Sequence, residues 1–164
     1  MKRYLQSGVV IFAGVLGIAA GSVNPAHDIT KTRRRFDMRS DILRKFLREN
    51  GSPAEDYAEV FIAEADTHGL DWRLLPSISF VESGAGRNAK GNNIFGWANG
   101  KARFRSFGEA IHEVASSLSS ARPYAGKDIP GKLAAFNTER IDYSSIVISV
   151  MKQISPRPLC PGTR

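Results

Sequence analysis

The segment richest in chemistry is Val81-Glu82-Ser83-Gly84, followed ten residues after the glutamate by Asn92-Asn93-Ile94-Phe95-Gly96-Trp97. Leu74, Ile78 and Val81 recur at helical spacing, so Glu82 sits in the last turn of a helix that Gly84 ends. Burial beside that apolar stripe and the negative end of the helix dipole both disfavour a carboxylate anion. A carboxylic acid held in that way suits proton donation to a leaving oxygen, the step that breaks a glycosidic bond. Read from spacing alone, the alternative is a surface glutamate that closes a helix.

The elements around Glu82 are helical. Met38 to Leu47 carries Met38, Ile42, Leu43, Phe46 and Leu47 on one face, and Asn50-Gly51 stops it. Ser52-Pro53-Ala54-Glu55 has the form of a capping box with proline at the first helical position. Tyr57, Val60, Phe61 and Ala65 follow, and Gly69 ends that helix after His68. Asp71 caps the Glu82 helix, where Pro76 predicts a kinked or tight first turn. Gly84 to Asn93 reads as loop. Ile94–Ala98 and Lys101–Phe104 flank Asn99-Gly100, a strong hairpin signal. Ser106-Phe107-Gly108-Glu109 opens another helix with a second capping box, continued by Ile111, Val114, Ala115 and Leu118. Ile129, Leu133 and Phe136 mark a short helix broken near Asn137-Thr138. Asp142 caps the last, with Val147, Val150, Met151 and Ile154 inward. The expected architecture is mainly α, about six helices with one small β-hairpin lobe and no internal repeat.

The chain has 164 residues, with 42% hydrophobic, 24% charged and 9% aromatic, which accommodates one domain plus appendages. Lys2-Arg3, an apolar run from Gly8 to Ala20 and small residues after it describe an export signal over residues 1–22. Extended over residues 4–23, the same run approaches the roughly 20 residues of a membrane span, so an uncleaved inner-membrane anchor is the alternative. Residues 23–35 read as a basic linker, 36–155 as the domain and 156–164 as a flexible tail. The expected location is outside the cytoplasm, in the periplasm or cell envelope. Of the net charge of +7, the termini of the apolar run and the linker carry much, through Lys2, Arg3, Lys31, Arg33, Arg34 and Arg35. The body is only mildly basic, which suits an anionic wall polymer and argues against nucleic acid, as does the lack of a recognition-helix pattern. Cys160 is the sole cysteine, so no intrachain disulfide forms.

From Tyr57 to Ile154 the chain resembles the lysozyme-like peptidoglycan hydrolases, closest to the bacterial glucosaminidase-domain proteins, which are related to lytic transglycosylases. The residues that carry the resemblance are Ala63-Glu64-Ala65, His68-Gly69-Leu70-Asp71, Leu74-Leu75-Pro76, Val81-Glu82-Ser83-Gly84, Gly91-Asn92-Asn93-Ile94-Phe95-Gly96 and Phe104-Arg105-Ser106-Phe107. The resemblance implies a lysozyme-like fold, peptidoglycan glycan strands as partner, and Glu82 as general acid and then base. It implies Tyr124 as a tyrosine near the acid, with packing as its equal alternative, and Ser83, Asn93 and Phe95 as groove or flap residues. Ser83 could equally end the helix by bonding to backbone. Of Asn92 and Asn93, one is expected to form a turn and the other to donate into the groove. Trp97 either stacks on a sugar or packs the flap; Trp72 is expected to pack in the core or at the surface, and Tyr143 in the core. The transglycosylase pattern Ala-Tyr-Asn-Ala-Gly is matched here by Ala134-Ala135-Phe136-Asn137-Thr138, which lacks the hydroxyl.

No second acid stands out. Asp128, Glu109 and Glu113 are available, but capping and a solvated face explain the two glutamates. The substrate N-acetyl group can instead act as nucleophile, so one glutamate suffices. No cofactor is implied. His68 at a helix end and His112 on a solvated face are not spaced with carboxylates as metal ligands, and no nucleophile elbow is present. A non-catalytic wall-binding module and a wall amidase are the competing readings.

Overall fold

The computed structural model describes residues 37–157 and Leu159; the expected signal or anchor, the basic linker and Cys160 lie outside them. Six α-helices make up the described architecture: α1 (Met38–Glu49), α2 (Ala58–Thr67), α3 (Leu74–Ser83), α4 (Phe107–Ser120), α5 (Ile129–Phe136) and α6 (Tyr143–Ile154). The fold is mainly α, as the periodicity predicts. No helix among the described residues is long and apolar enough to cross a membrane.

Helix α3 lies at the centre. Leu74, Leu75, Pro76, Ser77, Ile78, Ser79 and Ser83 are all buried, so it is enclosed on nearly every side. It packs most extensively on α6, while α2 packs on both α1 and α4 and α5 packs on α6. Ser77 and Ser79 keep the α3 surface narrow, and the Ser79 hydroxyl donates back to Pro76 O at 2.9 Å. Pro76 is the third residue of α3, where the backbone N–H has no intrahelical acceptor, so it costs no bond. The expected tight first turn is present as the Leu74 N–H to Asp71 C=O bond of 2.9 Å.

The first capping box forms differently from expectation. Ser52 Oγ accepts from Ala54 N at 3.0 Å and donates to Ala85 O at 2.7 Å, tying the turn to the end of α3. Glu55 does not close a box; it pairs with Arg48 at 2.7 Å, and a 3-10 turn over Glu55–Tyr57 precedes α2. Ahead of α4, Ser106 Oγ accepts from Glu109 N at 3.1 Å, and the Glu109 carboxylate reaches back to Arg105 N. Asp142 makes no side-chain cap on α6 and pairs with Arg140 at 2.9 Å instead.

The hairpin expectation is half met. Asn99 and Gly100 have φ of +52° and +76°, and Lys101 N donates to Ala98 O at 3.0 Å, as a type I′ turn requires. Strands do not follow: among the described residues the one β-type pairing is an isolated Lys90–Asn93 bridge. Side-chain amides take the groups that a ladder would use. Asn93 Nδ2 donates to Trp97 O and Ala102 O, Asn93 Oδ1 accepts from Trp97 N, and Asn92 Nδ2 donates to Phe104 O. The β-hairpin lobe is therefore an asparagine-braced loop.

Candidate active site

The helix end that carries Glu82 is built by backbone chirality. Gly84 (φ +63°) and Ala85 (φ +51°) both adopt the left-handed conformation and turn the chain back on itself. Gly84 N and Ala85 N donate to Phe80 O and Ser79 O at 2.8 and 3.0 Å, closing the helix. Ser83 is buried under this turn. Its hydroxyl donates to Ile94 O at 2.7 Å and accepts from Gly86 N at 2.9 Å, so it joins the helix end to the loop opposite. Of the two roles expected for Ser83, the backbone-bonded one is the one it fills, although the residue lines the cleft.

Glu82 is half-buried on the wall of a cleft of about 410 Å³. One side of the cleft is the loop from Asn88 to Gly100; the other is the end of α5 and the turn Asn137–Glu139. Asn137 holds that turn, with Oδ1 accepting from Arg140 N at 3.1 Å. Tyr143 Oη donates to Glu82 Oε1 at 2.6 Å. Gly96 presses against the other oxygen: a Cβ there would lie 3.0 Å from Glu82 Oε2, and its φ of +60° also favours glycine. The carboxylate is thus fixed between a phenol and a bare stretch of backbone.

Aromatic rings support the phenol. Phe136 stacks on Tyr143 with centroids 5.9 Å apart and planes at 6°, and Trp97 tilts onto Phe136 at 5.6 Å. Tyr124 follows Trp97 at 6.3 Å. Burial first, and then the hydrogen bond to Glu82, push the Tyr143 hydroxyl far above the usual phenol range, so it remains a donor. Burial also raises Tyr124. Lys132 of α5 donates to Leu118 O and Tyr124 O at 2.7 and 2.8 Å, anchoring the loop that holds Tyr124.

The sequence-expected residues converge unevenly. Glu82, Ser83, Asn93 and Phe95 all line the cleft. Asn93 is buried with both ends of its amide bonded to backbone, and Asn92 is also backbone-bonded, so both act as loop braces rather than one serving as groove donor. Phe95 is fully buried and forms the cleft floor from the core side. Trp97 is half-buried in the aromatic row, the packing role of its two. Tyr124 stands behind Trp97, and the hydroxyl on Glu82 belongs to Tyr143, which the helical period had placed simply in the core. It is in the core too, at 1% exposure, and meets the cleft wall through its hydroxyl bond to Glu82.

A second carboxylate also lines the cleft, the exposed Glu139. It lies in a turn with no helical period, so no sequence signal distinguishes it. Asp128 instead caps α5 by accepting from Gly131 N at 2.9 Å, and Glu113 is exposed on α4.

Away from the cleft, the expectation of no histidine–carboxylate set with ligand geometry does not hold. Glu64 and His68 at the end of α2 meet His112 of α4, with one ligand atom from each all within 4.8 Å of one another. Glu64 and His68 are four residues apart, but His112 lies 48 residues beyond Glu64, and the α2–α4 contact brings it to them.

Compared with family models, curated proteins and solved structures, the chain finds no match in any of the three.

Proposed function

We propose that this domain cleaves the β-1,4 glycan backbone of peptidoglycan with Glu82 as its single acid and base, on a lysozyme-like framework. The observation that carries the reading is the 2.6 Å bond from Tyr143 Oη to Glu82 Oε1 on the wall of a polar cleft. With Oε1 taken by the phenol, Oε2 is the oxygen assigned to proton transfer. In the first step Oε2–H protonates the glycosidic oxygen as its bond to the anomeric carbon breaks, while the substrate N-acetyl oxygen attacks that carbon. The sugar leaves as an alcohol, and Glu82 becomes a carboxylate. It then takes a proton from water, whose oxygen opens the cyclic intermediate. Tyr143 remains a hydrogen-bond donor throughout, and its bond strengthens when the carboxylate is charged. Export to the envelope and a wall polymer as partner complete the proposal.

A wall-binding module without turnover is the competing reading. Mass spectrometry of products released from purified peptidoglycan, by the full chain and by Glu82→Gln, separates the readings. Glycan fragments from the first and none from the second support the glycosidase, and reducing or anhydro ends identify hydrolysis or transglycosylation. Freed peptides would indicate an amidase. No release, with pelleting on the wall retained, would overturn catalysis.

A further inference from the structure

Glu64, His68 and His112 line no part of the Glu82 cleft, and the proposed reaction does not use them. One ligand atom from each nonetheless lies within 4.8 Å of the other two. His112 Nδ1 lies 3.0 Å and His68 Nε2 3.4 Å from the same oxygen, Glu64 Oε2. Ligands on a four-coordinate zinc ion, at about 2.0–2.1 Å each from the metal, stand about 3.3 Å apart. The two nitrogen–oxygen separations bracket that edge, and the nitrogen–nitrogen separation is within 4.8 Å.

The hydrogen bonding around His68 settles which nitrogen is available. Ser119 Oγ donates to Ser116 O at 2.8 Å, which commits the hydroxyl proton. The His68 Nδ1 atom 3.3 Å away therefore donates to that hydroxyl, leaving Nε2 as the nitrogen with the lone pair. Nε2 is buried and, among the described residues, has no hydrogen-bond partner despite its closeness to Glu64. A buried lone pair beside a carboxylate oxygen is repulsive, and a metal cation or a proton held between them relieves the repulsion. A hydroxyl on the far ring nitrogen is also the outer-sphere support that metal-binding histidines use to fix their tautomer.

We propose that Glu64, His68 and His112 bind one divalent transition-metal ion of the zinc type, which clamps the end of α2 to α4. Two imidazoles and one carboxylate select such an ion over magnesium or calcium. His68 coordinates through Nε2 and His112 through Nδ1, the His112 proton residing on its other ring nitrogen. The His112 side chain is 57% exposed, so the ion enters from solvent and water completes its coordination.

The test uses the full-length chain stripped of metal and titrated with ZnCl₂, followed by calorimetry and thermal unfolding. One equivalent is expected to bind, with a Tm that rises and saturates with zinc. CoCl₂ is expected to give the strong visible absorption of a four-coordinate ion. His112→Ala, at an exposed position, and Glu64→Gln should each weaken binding by about tenfold or more and abolish the Tm rise. A His27→Ala/Cys160→Ser double variant should bind as the parent does. Equal zinc affinity in the parent and His112→Ala, or loss of binding in the His27/Cys160 variant, would overturn the proposal.

Discussion

Tyr143 and Glu82, 61 residues apart in sequence, share a 2.6 Å hydrogen bond where α6 packs on the end of α3. The phenol is buried and stacked on Phe136, so a strong donor holds one carboxylate oxygen, and the proposed proton transfer falls to the second. Removing it with Tyr143→Phe keeps the ring stack and deletes only the donor. A hydrogen bond to a charged group contributes about 1.5–3 kcal/mol, so turnover of peptidoglycan should fall roughly ten- to a hundredfold. Muropeptide release rates, with KM little changed, check this; an unchanged rate would remove Tyr143 from the site.

The same phenol makes an alkaline prediction. Its folded pKa is raised above the ordinary 10.0, by burial first and by Glu82 second. Stability from this group is therefore complete below pH 10.0 and declines as pH climbs above it, because the unfolded chain loses the proton first. Denaturant unfolding between neutral pH and pH above 10 should show that decline in the parent and a shallower one in Tyr143→Phe.

Gly96 is the close neighbour of Glu82 Oε2. In Gly96→Ala the new Cβ would stand 3.0 Å from Glu82 Oε2, at a residue whose φ is +60°. The left-handed conformation alone costs about 1–2 kcal/mol for a side chain. Thermal unfolding should report that loss, and activity should fall further than the unfolded fraction explains, since the carboxylate must also move. Activity that tracks stability alone would mean that Glu82 is not held as described.

Asn93→Ala tests the brace of the loop wall. It removes the amide that bonds Trp97 N, Trp97 O and Ala102 O. Leaving these groups without their partner should cost about 1–3 kcal/mol, and the loop from 94 to 104 should be the first segment cut by a protease. A variant with unchanged stability and a weakened substrate interaction would instead return Asn93 to direct recognition.

Arg39 supports the far end of the fold. It is 2% exposed and bonds Asp66 at 2.7 Å through each of two nitrogens, with Asp37 on its remaining edge. The Arg39 side-chain hydrogen bond holds the Asp37 carboxyl below its ordinary 3.8. Stability from Asp37 is therefore present above pH 3.8 and lost as pH falls through the lower folded value. Arg39→Met should lower stability at neutral pH and flatten the decline below pH 3.8, measured by denaturant unfolding across that range.

The helices were legible because burial imposes a period on sequence: Leu74, Ile78 and Val81 declared α3, and Val147, Val150, Met151 and Ile154 declared α6. Glu82 was legible because its apolar helix ends at Gly84, a residue that accommodates the left-handed turn. Asn99-Gly100 likewise specified its turn, since both residues tolerate positive φ. The strands beside that turn were not decided locally: beyond the Ala102 N to Trp97 O bond, the Asn92 and Asn93 amides bond the Phe104 and Ala102 carbonyls in place of a ladder. The phenol on Glu82 was decided only by packing. A core tyrosine and a positioning tyrosine share one helical period and differ in where the hydroxyl ends. The same holds for Glu64, His68 and His112, which a 48-residue separation conceals until α4 docks on α2. Local sequence determines which backbone shapes are cheap; which polar atoms meet depends on the docking of elements far apart in the chain, and that only the tertiary structure decides.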